Sequence, residues 1–372
     1  MAAGLTRSSG YCATKVHSSS ETPGDGTSAN PSTTGRPAST QNPVTNISDA
    51  VKGEIVIMSG PSQVHVIDVS PRDGLQNESV QLSTQDKLAL IEGLIAGGVT
   101  AIEAASFVSP TKVPAMADSD ALMREVPRVA GVRYIGLVMN ERGLDRAFEA
   151  DVDEVNIVVS ASDTFSLRNQ GVDTLAGVSM AIALAGRCHE ASVDVSLTIA
   201  TAFGCPFEGE VPVERLMEVV KLLSETRPVR VNLGDTIGVA VPSDVIDRFR
   251  AVGPYIEPST ARGAHFHNTR NTGYANAYAA LTVGVTHFDA SVGGIGGCPF
   301  APNATGNVAT EDLGYLFERM GFDTGLNLET LMGTSRWLEG PLGKSMPALL
   351  GRAGLFPITP SESGSAPAGP LR

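Results

Sequence analysis

Residues 193–252 read VDVSLTIATAFGCPFEGEVPVERLMEVVKLLSETRPVRVNLGDTIGVAVPSDVIDRFRAV. Val193–Ala200 is an apolar, β-branched run of strand length. Pro212–Thr226 follows with apolar residues at helical spacing. Val229–Leu233 is a second strand-length run, and Pro242–Val252 a second helical one. Strands separated by helix-length segments describe parallel βαβ units, because parallel neighbours need a crossover. The alternation continues in both directions. Upstream lie the strands Val64–Val69, Ala101–Ala105, Arg133–Val138 and Glu154–Val159, with helices at Thr84–Ala96, Glu141–Ala150 and Thr174–Ala191. Downstream lie the strands Ala261–Phe266 and His287–Ser291, with helices at Gly273–Val283 and Thr310–Arg319. Eight such units in about 270 residues predict an α/β fold of the closed (β/α)8 type, a TIM barrel, rather than an open doubly wound sheet. No GxGxxG follows the first strand, which argues against a dinucleotide fold.

Around this block the composition changes. Residues 1–60 are rich in Ser, Thr, Pro, Gly and Asn without apolar periodicity, and read as a disordered N-terminal extension. Residues 61–345 form the catalytic barrel domain, and 346–372 a short C-terminal tail ending in a Pro/Ser/Gly-rich stretch. The first twenty residues carry Arg7 and Lys15 and no acid, a trace of an organellar transit peptide, but Glu21 and Asp25 follow. High Ala, Gly and Val content points to a bacterial cytoplasmic protein, with a mitochondrial location as the alternative. A formal net charge of −13 argues against sequence-independent nucleic-acid binding. No apolar run reaches the length of a membrane span, so no membrane association is expected. The four cysteines, Cys12, Cys188, Cys205 and Cys298, show no CxxC pairing and read as free thiols.

In a barrel of this type the chemistry sits where the strands end. Polar residues recur at that rim: Ser70-Pro-Arg-Asp-Gly74 after the first strand, Glu103 and Ser106 on the second, Asp235 after the sixth, His265 and His267 on the seventh, and a glycine-rich segment with Cys298 and Asn307 after the eighth. His265 and His267, two apart on a strand, project to one face. Two imidazoles there, with the Asp73 carboxylate and the Asn307 amide, make a thiolate-free set that favours Mg2+ or Mn2+, while the imidazoles leave Zn2+ or Co2+ open. Arg72 beside the carboxylate can neutralise a developing oxyanion. Glu103 on a buried strand needs a partner, either Arg72 or a ligand histidine. Cys298, among Gly293, Gly294, Gly296 and Gly297 and before Pro299, reads as a thiol on a mobile loop that closes over substrate as an acid or base.

Seven ordered motifs resemble those of 3-hydroxy-3-methylglutaryl-CoA lyases, metal-dependent barrels that break bonds next to acyl-CoA enolates. They are Ser70-Pro-Arg-Asp-Gly-Leu-Gln-Asn-Glu78, Ser106-Phe-Val-Ser-Pro110, Gly204-Cys-Pro-Phe-Glu-Gly209, Leu233-Gly-Asp-Thr-Ile-Gly238, His265-Phe-His267, Gly296-Gly-Cys-Pro-Phe-Ala301 and Gly306-Asn-Val-Ala-Thr-Glu-Asp312. The resemblance spans Val64 to Leu342. It implies Asp73, His265, His267 and Asn307 as ligands of a divalent cation. It also implies Arg72, Glu103, His265 and Cys298 as the catalytic set, and Arg72, Ser106 and Asp235 on the substrate side. The partner it implies is an acyl-CoA, and the assembly a homodimer. Asp68 stands where the family carries Glu.

The segment Asn268-Thr-Arg-Asn-Thr-Gly273 departs from the family pattern and bears on the acyl group. A citramalyl-CoA or longer branched 3-hydroxyacyl-CoA lyase is therefore an alternative. A synthase joining acetyl-CoA to a 2-oxo acid fits less well, because its Gly-Glu-Arg-type loop is replaced by Gly-Gly-Cys-Pro. A non-catalytic barrel would have no use for the polar rim.

Overall fold

The computed structural model describes residues 63–297 and 306–357. Eight parallel strands close into a barrel: β1 His65–Asp68, β2 Ala101–Ser106, β3 Arg133–Val138, β4 Glu154–Ser160, β5 Asp194–Ala200, β6 Arg230–Asp235, β7 Ala261–Phe266 and β8 His287–Ala290. Each strand pairs with its sequence neighbours, and β1 closes the ring against β8 through His65–Asp68 and His287–Ala290. The fold is the expected TIM barrel.

Helices separate the strands. The predicted spans Thr84–Ala96 (α1), Pro242–Val252 and Thr310–Arg319 coincide with the observed ones. Local chemistry explains the sharp edges. Ser83 caps α1 reciprocally with Asp86, and Pro242 opens its helix at a position where a missing N–H costs nothing. Short helices at Ser119–Glu125 and Asp163–Asn169 were not expected, since two turns give too little periodicity to stand out. A further helix, Leu328–Leu342, packs outside the barrel on α1. There Gly93 and Gly97 let the two helices approach: a Cβ on Gly97 would lie 2.5 Å from Leu331 Cδ2. Beyond it Met346, Ala348 and Leu350 are buried, and Leu350–Ala353 forms one more turn. No helix among the described residues is long and apolar enough to cross a membrane.

The main apolar core fills the shell between strands and helices. Ile67, Val69 and Ile135 form a small cluster apart from it. Much of the barrel interior is polar, and two of its hydrogen bonds skip a strand, so they run through the lumen. Glu103 on β2 accepts from Asn156 Nδ2 on β4 at 2.7 Å. Thr198 Oγ1 on β5 donates to Asn156 Oδ1 at 3.0 Å. Asn232 Nδ2 on β6 reaches Asp289 Oδ2 on β8 at 3.3 Å, across β7. That crossing is possible because the intervening residue is Gly263: a Cβ there would sit 1.7 Å from Asn232 Oδ1. At the opposite end of the lumen Glu154 binds Arg230 at 2.8 Å, and His65 stacks on His287 with centroids 4.5 Å apart.

Gly263→Ala therefore forces Asn232 off Asp289. Overpacking of this kind is expected to cost about 1–3 kcal/mol, read as a lower urea midpoint at unchanged m-value. A variant as stable as the parent would show that the lumen has slack at this layer.

Candidate active site

The turn after β1 builds one half of the site. Ser70–Gly74 wraps in a wide π-type turn opened by Pro71, with the Arg72 and Gly74 N–H groups both donating to Val69 O. This brings Arg72 and Asp73 to the mouth of the barrel. Arg72 Nη1 donates to Asp73 Oδ1 at 2.6 Å, and its Nε makes a short contact with Glu103 Oε1. Of the two partners foreseen for buried Glu103, the structure supplies Arg72, together with Asn156. Burial opposes the charge on Arg72, but Glu103 and Asp73 outweigh it and hold its pKa above the ordinary value.

The other half comes from β7 and the segment beyond β8. His265 and His267 project to the same side, with their Nε2 atoms 3.2 Å apart. Asp73 Oδ2 lies 3.9 Å from His265 Nε2 and accepts from Asn307 Nδ2 at 2.9 Å. Asn307 is brought there by strand-like pairing of its backbone with His267. One potential ligand atom from each of Asp73, His265 and His267 falls within a span of 4.8 Å. The electrostatics suit a group that could hold a cation. Burial raises the Asp73 carboxyl, but Arg72, His265, His267 and the Asn307 amide overcome it and bring the pKa down to about 2. Burial and the neighbouring His265 push His267 down to about 4, so it stays neutral with a lone pair to give.

The donor set fits a divalent cation on two further counts. His265 Nδ1 faces Asp289 Oδ2 at 3.3 Å, and an acceptor there selects the tautomer that leaves Nε2 free toward Asp73 and His267. Asn307 Oδ1 is buried and has no hydrogen-bond partner. An amide oxygen left unsatisfied in a protein interior is costly unless something else takes it.

Above this cluster opens a cleft of about 530 Å3, bounded by Arg72, Asp73, His265, His267 and Asp289 on one side. Leu137, Met139, Val158 and Phe165 form an apolar wall, and Lys112 and Arg168 add cations. Ser106 borders the cleft, and its buried hydroxyl has no hydrogen-bond partner. Asp235 is placed differently. It is fully buried and outside the cleft lining, and its carboxylate accepts the Val239 and Ala240 N–H groups at 2.8 and 3.1 Å. It shapes the loop after β6, whereas Thr236 beside it does line the cleft. Cys205 is a buried free thiol, as expected, and accepts from Ser162 Oγ at 2.9 Å. Cys298 lies outside the described residues.

The geometry finds its counterpart in known proteins. The HMGL-like family model matches residues 63–338. The chain belongs to the HMGL-like family. It is 38% identical over 291 residues to the hydroxymethylglutaryl-CoA lyase YngG of Bacillus subtilis, covering 78% of this chain and 97% of that protein. It is 41% identical over 314 residues to the (R)-citramalyl-CoA lyase of Chloroflexus aurantiacus, covering 82% of this chain and 98% of that one. The crystal structure of an HMG-CoA lyase from Acinetobacter baumannii with coenzyme A and 3-methylmalate superimposes with a TM-score of 0.76 at 38% identity, over 80% of this chain and 98% of that one. Family membership and barrel fold thus agree.

Asp289, Asn156 and Asn232 were not anticipated from the sequence. Asp289 is the one that touches a proposed ligand. Asp289→Asn is expected to weaken Mn2+ binding by about 10–100-fold, measured by calorimetric titration, because the amide no longer fixes the His265 tautomer. Unchanged affinity would mean that β7 alone orients the ring.

Proposed function

We propose that this chain is a carbon–carbon lyase that cleaves 3-hydroxy-3-methylglutaryl-CoA, or a close analogue, to acetyl-CoA and acetoacetate in a metal-assisted retro-Claisen reaction. The observation that carries this reading is the set Asp73, His265, His267 and Asn307 with Arg72 against it, on the floor of a cleft that has both cationic and apolar walls. Those four residues would hold a divalent cation, Mg2+ or Mn2+ from the hardness of the donors. When bound, the cation acidifies the tertiary hydroxyl of the substrate.

The chain's own residues account for the remaining steps. His265 is assigned the hydroxyl proton; its Nδ1 faces Asp289, so Nε2, released from the cation, would be the atom with the lone pair to take it. The bond between the hydroxyl-bearing carbon and the carbon next to the thioester breaks. The first carbon becomes a ketone, and the bonding electrons pass into the thioester as an enolate. Arg72 faces that oxyanion. Nε and one N–H of Nη1 are engaged by Glu103 and Asp73, so the fork is held in place and the Nη2 N–H groups, with the second of Nη1, are left to donate. Glu103 acts through Arg72 and is a positioning residue. Ser106 offers a hydroxyl to the substrate, and Cys298 is assigned the proton delivered to the enolate carbon.

The citramalyl-CoA alternative rests on the 41% identity to the Chloroflexus enzyme and on the divergent Asn268–Gly273 segment. The same reading makes the chain a bacterial cytoplasmic homodimer, with residues 61–345 as the catalytic unit, that acts in leucine catabolism or ketone-body formation.

Metal-loaded protein incubated separately with 3-hydroxy-3-methylglutaryl-CoA and citramalyl-CoA separates the two substrates by mass spectrometry of the products. With the preferred thioester, Arg72→Gln is expected to lose about a hundredfold in kcat with little change in KM, because its charge meets an oxyanion that forms only during reaction. Cleavage of neither thioester sinks the proposal, and an unchanged kcat in Arg72→Gln removes the arginine from the chemistry.

A further inference from the structure

Asp68 and Glu311 are buried carboxylates that lie outside both the cleft and the ligand set. Asp68 ends β1, and Glu311 stands in the first turn of the helix Thr310–Arg319. Both are fully buried. Neither forms a salt bridge with a Lys, Arg or His among the described residues. Burial pushes Asp68 up to about 6 and Glu311 up to about 7. A carboxylate buried without a countercharge is costly, so what it holds is informative.

Both hold the same piece of backbone. Asp68 accepts from Ser70 N–H at 2.8 Å, from Thr310 Oγ1 at 2.7 Å and from Val292 N–H at 3.0 Å, an amide it shares with Ser70 Oγ at 2.7 Å. Glu311 accepts the next amide, Gly293 N–H, at 3.0 Å. Ala348 N–H takes the carbonyl of Gly293 at 3.0 Å. These residues open the glycine-rich segment after β8. Gly293, Gly294 and Gly296 have φ of +74, +70 and +121°, a path that few other sequences could follow and that glycine by itself does not enforce. The segment then reaches the metal site. Ile295 O accepts from Asn307 Nδ2 at 3.1 Å, and Gly297 O accepts from Asn77 Nδ2 at 2.8 Å.

We propose that Asp68 and Glu311 form a two-carboxylate clamp on the Val292 and Gly293 amides, which fixes the path of Val292–Gly297 and, through the Ile295 carbonyl, the orientation of the Asn307 amide. Both are positioning residues. The inference rests on the proposed ligand role of Asn307. Asp68 is the stringent half, since three donors occupy its two oxygens. An asparagine there turns a donor toward a donor and unpairs Ser70 N–H or the Thr310 hydroxyl, and Val292 N–H keeps Ser70 Oγ but loses its bond to the carboxylate. Asp68→Glu keeps both acceptors.

Asp68→Asn, Asp68→Glu and Glu311→Gln in the full chain test the clamp through hydrogen exchange of a peptide covering 291–297, Mn2+ titration and steady-state kinetics. In Asp68→Asn the exchange is expected to quicken by about tenfold or more, as for loss of local protection. Mn2+ binding should weaken, and kcat should fall more than KM changes. Asp68→Glu should restore much of all three. Glu311→Gln should show the same pattern more mildly, and it carries the test if Asp68→Asn does not fold. Exchange at wild-type rate in both amide variants overturns the clamp, and so does faster exchange with unchanged Mn2+ binding. A wild-type chain that cleaves no thioester would defeat the proposed reaction and leave the exchange and Mn2+ readouts to decide the clamp.

Discussion

A charge placed inside a protein must find its partner there, and in this barrel that requirement organises the interior. Starting at Arg72, the polar contacts run through Glu103, Asn156, Thr198, Asn232 and Asp289 to His265, and from His265 across 3.9 Å to Asp73, which binds Arg72 again. The circuit takes residues from β2, β4, β5, β6, β8 and β7 and from the turn after β1. Each member is positioned by the next, so the site's geometry is a property of the closed sheet rather than of any one loop. Gly263, with no side chain, leaves the room in which Asn232 spans β7 to Asp289, while Asn232 Oδ1 stays buried without a hydrogen-bond partner.

The circuit also sets the charges. Glu103 and Asp73 keep Arg72 a cation, while Arg72 and the histidines keep Asp73 ionised. A charged guanidinium and an ionised carboxylate therefore sit side by side, and under the proposed function each would meet a different partner, the enolate oxygen and the cation. Above them the cleft is asymmetric. The side formed by Asp73, His265 and His267 is polar, and the far wall, from β3 and β4 and their loops, is apolar through Leu137, Met139 and Val158. A thioester carrying both a hydroxyl-bearing polar end and an alkyl branch matches that asymmetry.

Much of this was legible in the sequence. Strand and helix order declared the barrel, because period and length differ between the two elements. The 265/267 spacing placed both imidazoles on one face, because a strand repeats every two residues. The Ser70–Gly74 turn announced itself by Arg and Asp at a strand end. What stayed hidden has a common cause. Asn156, Asn232 and Asp289 sit mid-strand, where a polar residue reads the same whether it faces solvent or a lumen, and only barrel closure decides. Asp235 was legible as a rim residue but not as a cap, since a strand-end aspartate can face the cleft or turn back to the next loop's N–H groups. The buried stretch around Met346–Leu350 gave no periodic signal, and its packing on Gly293 emerges only from tertiary contacts.

The account depends most on Asp73, His265, His267 and Asn307 acting together as one cation site, and calorimetric titration of chelator-treated protein with Mn2+, run in parallel on His267→Ala, tests this directly. A stoichiometry of about one ion per chain in the wild type, with binding lost in the variant, is the expected result. Wild-type protein that takes up no Mn2+, or a His267→Ala variant that binds it as tightly as its parent, would contradict the account.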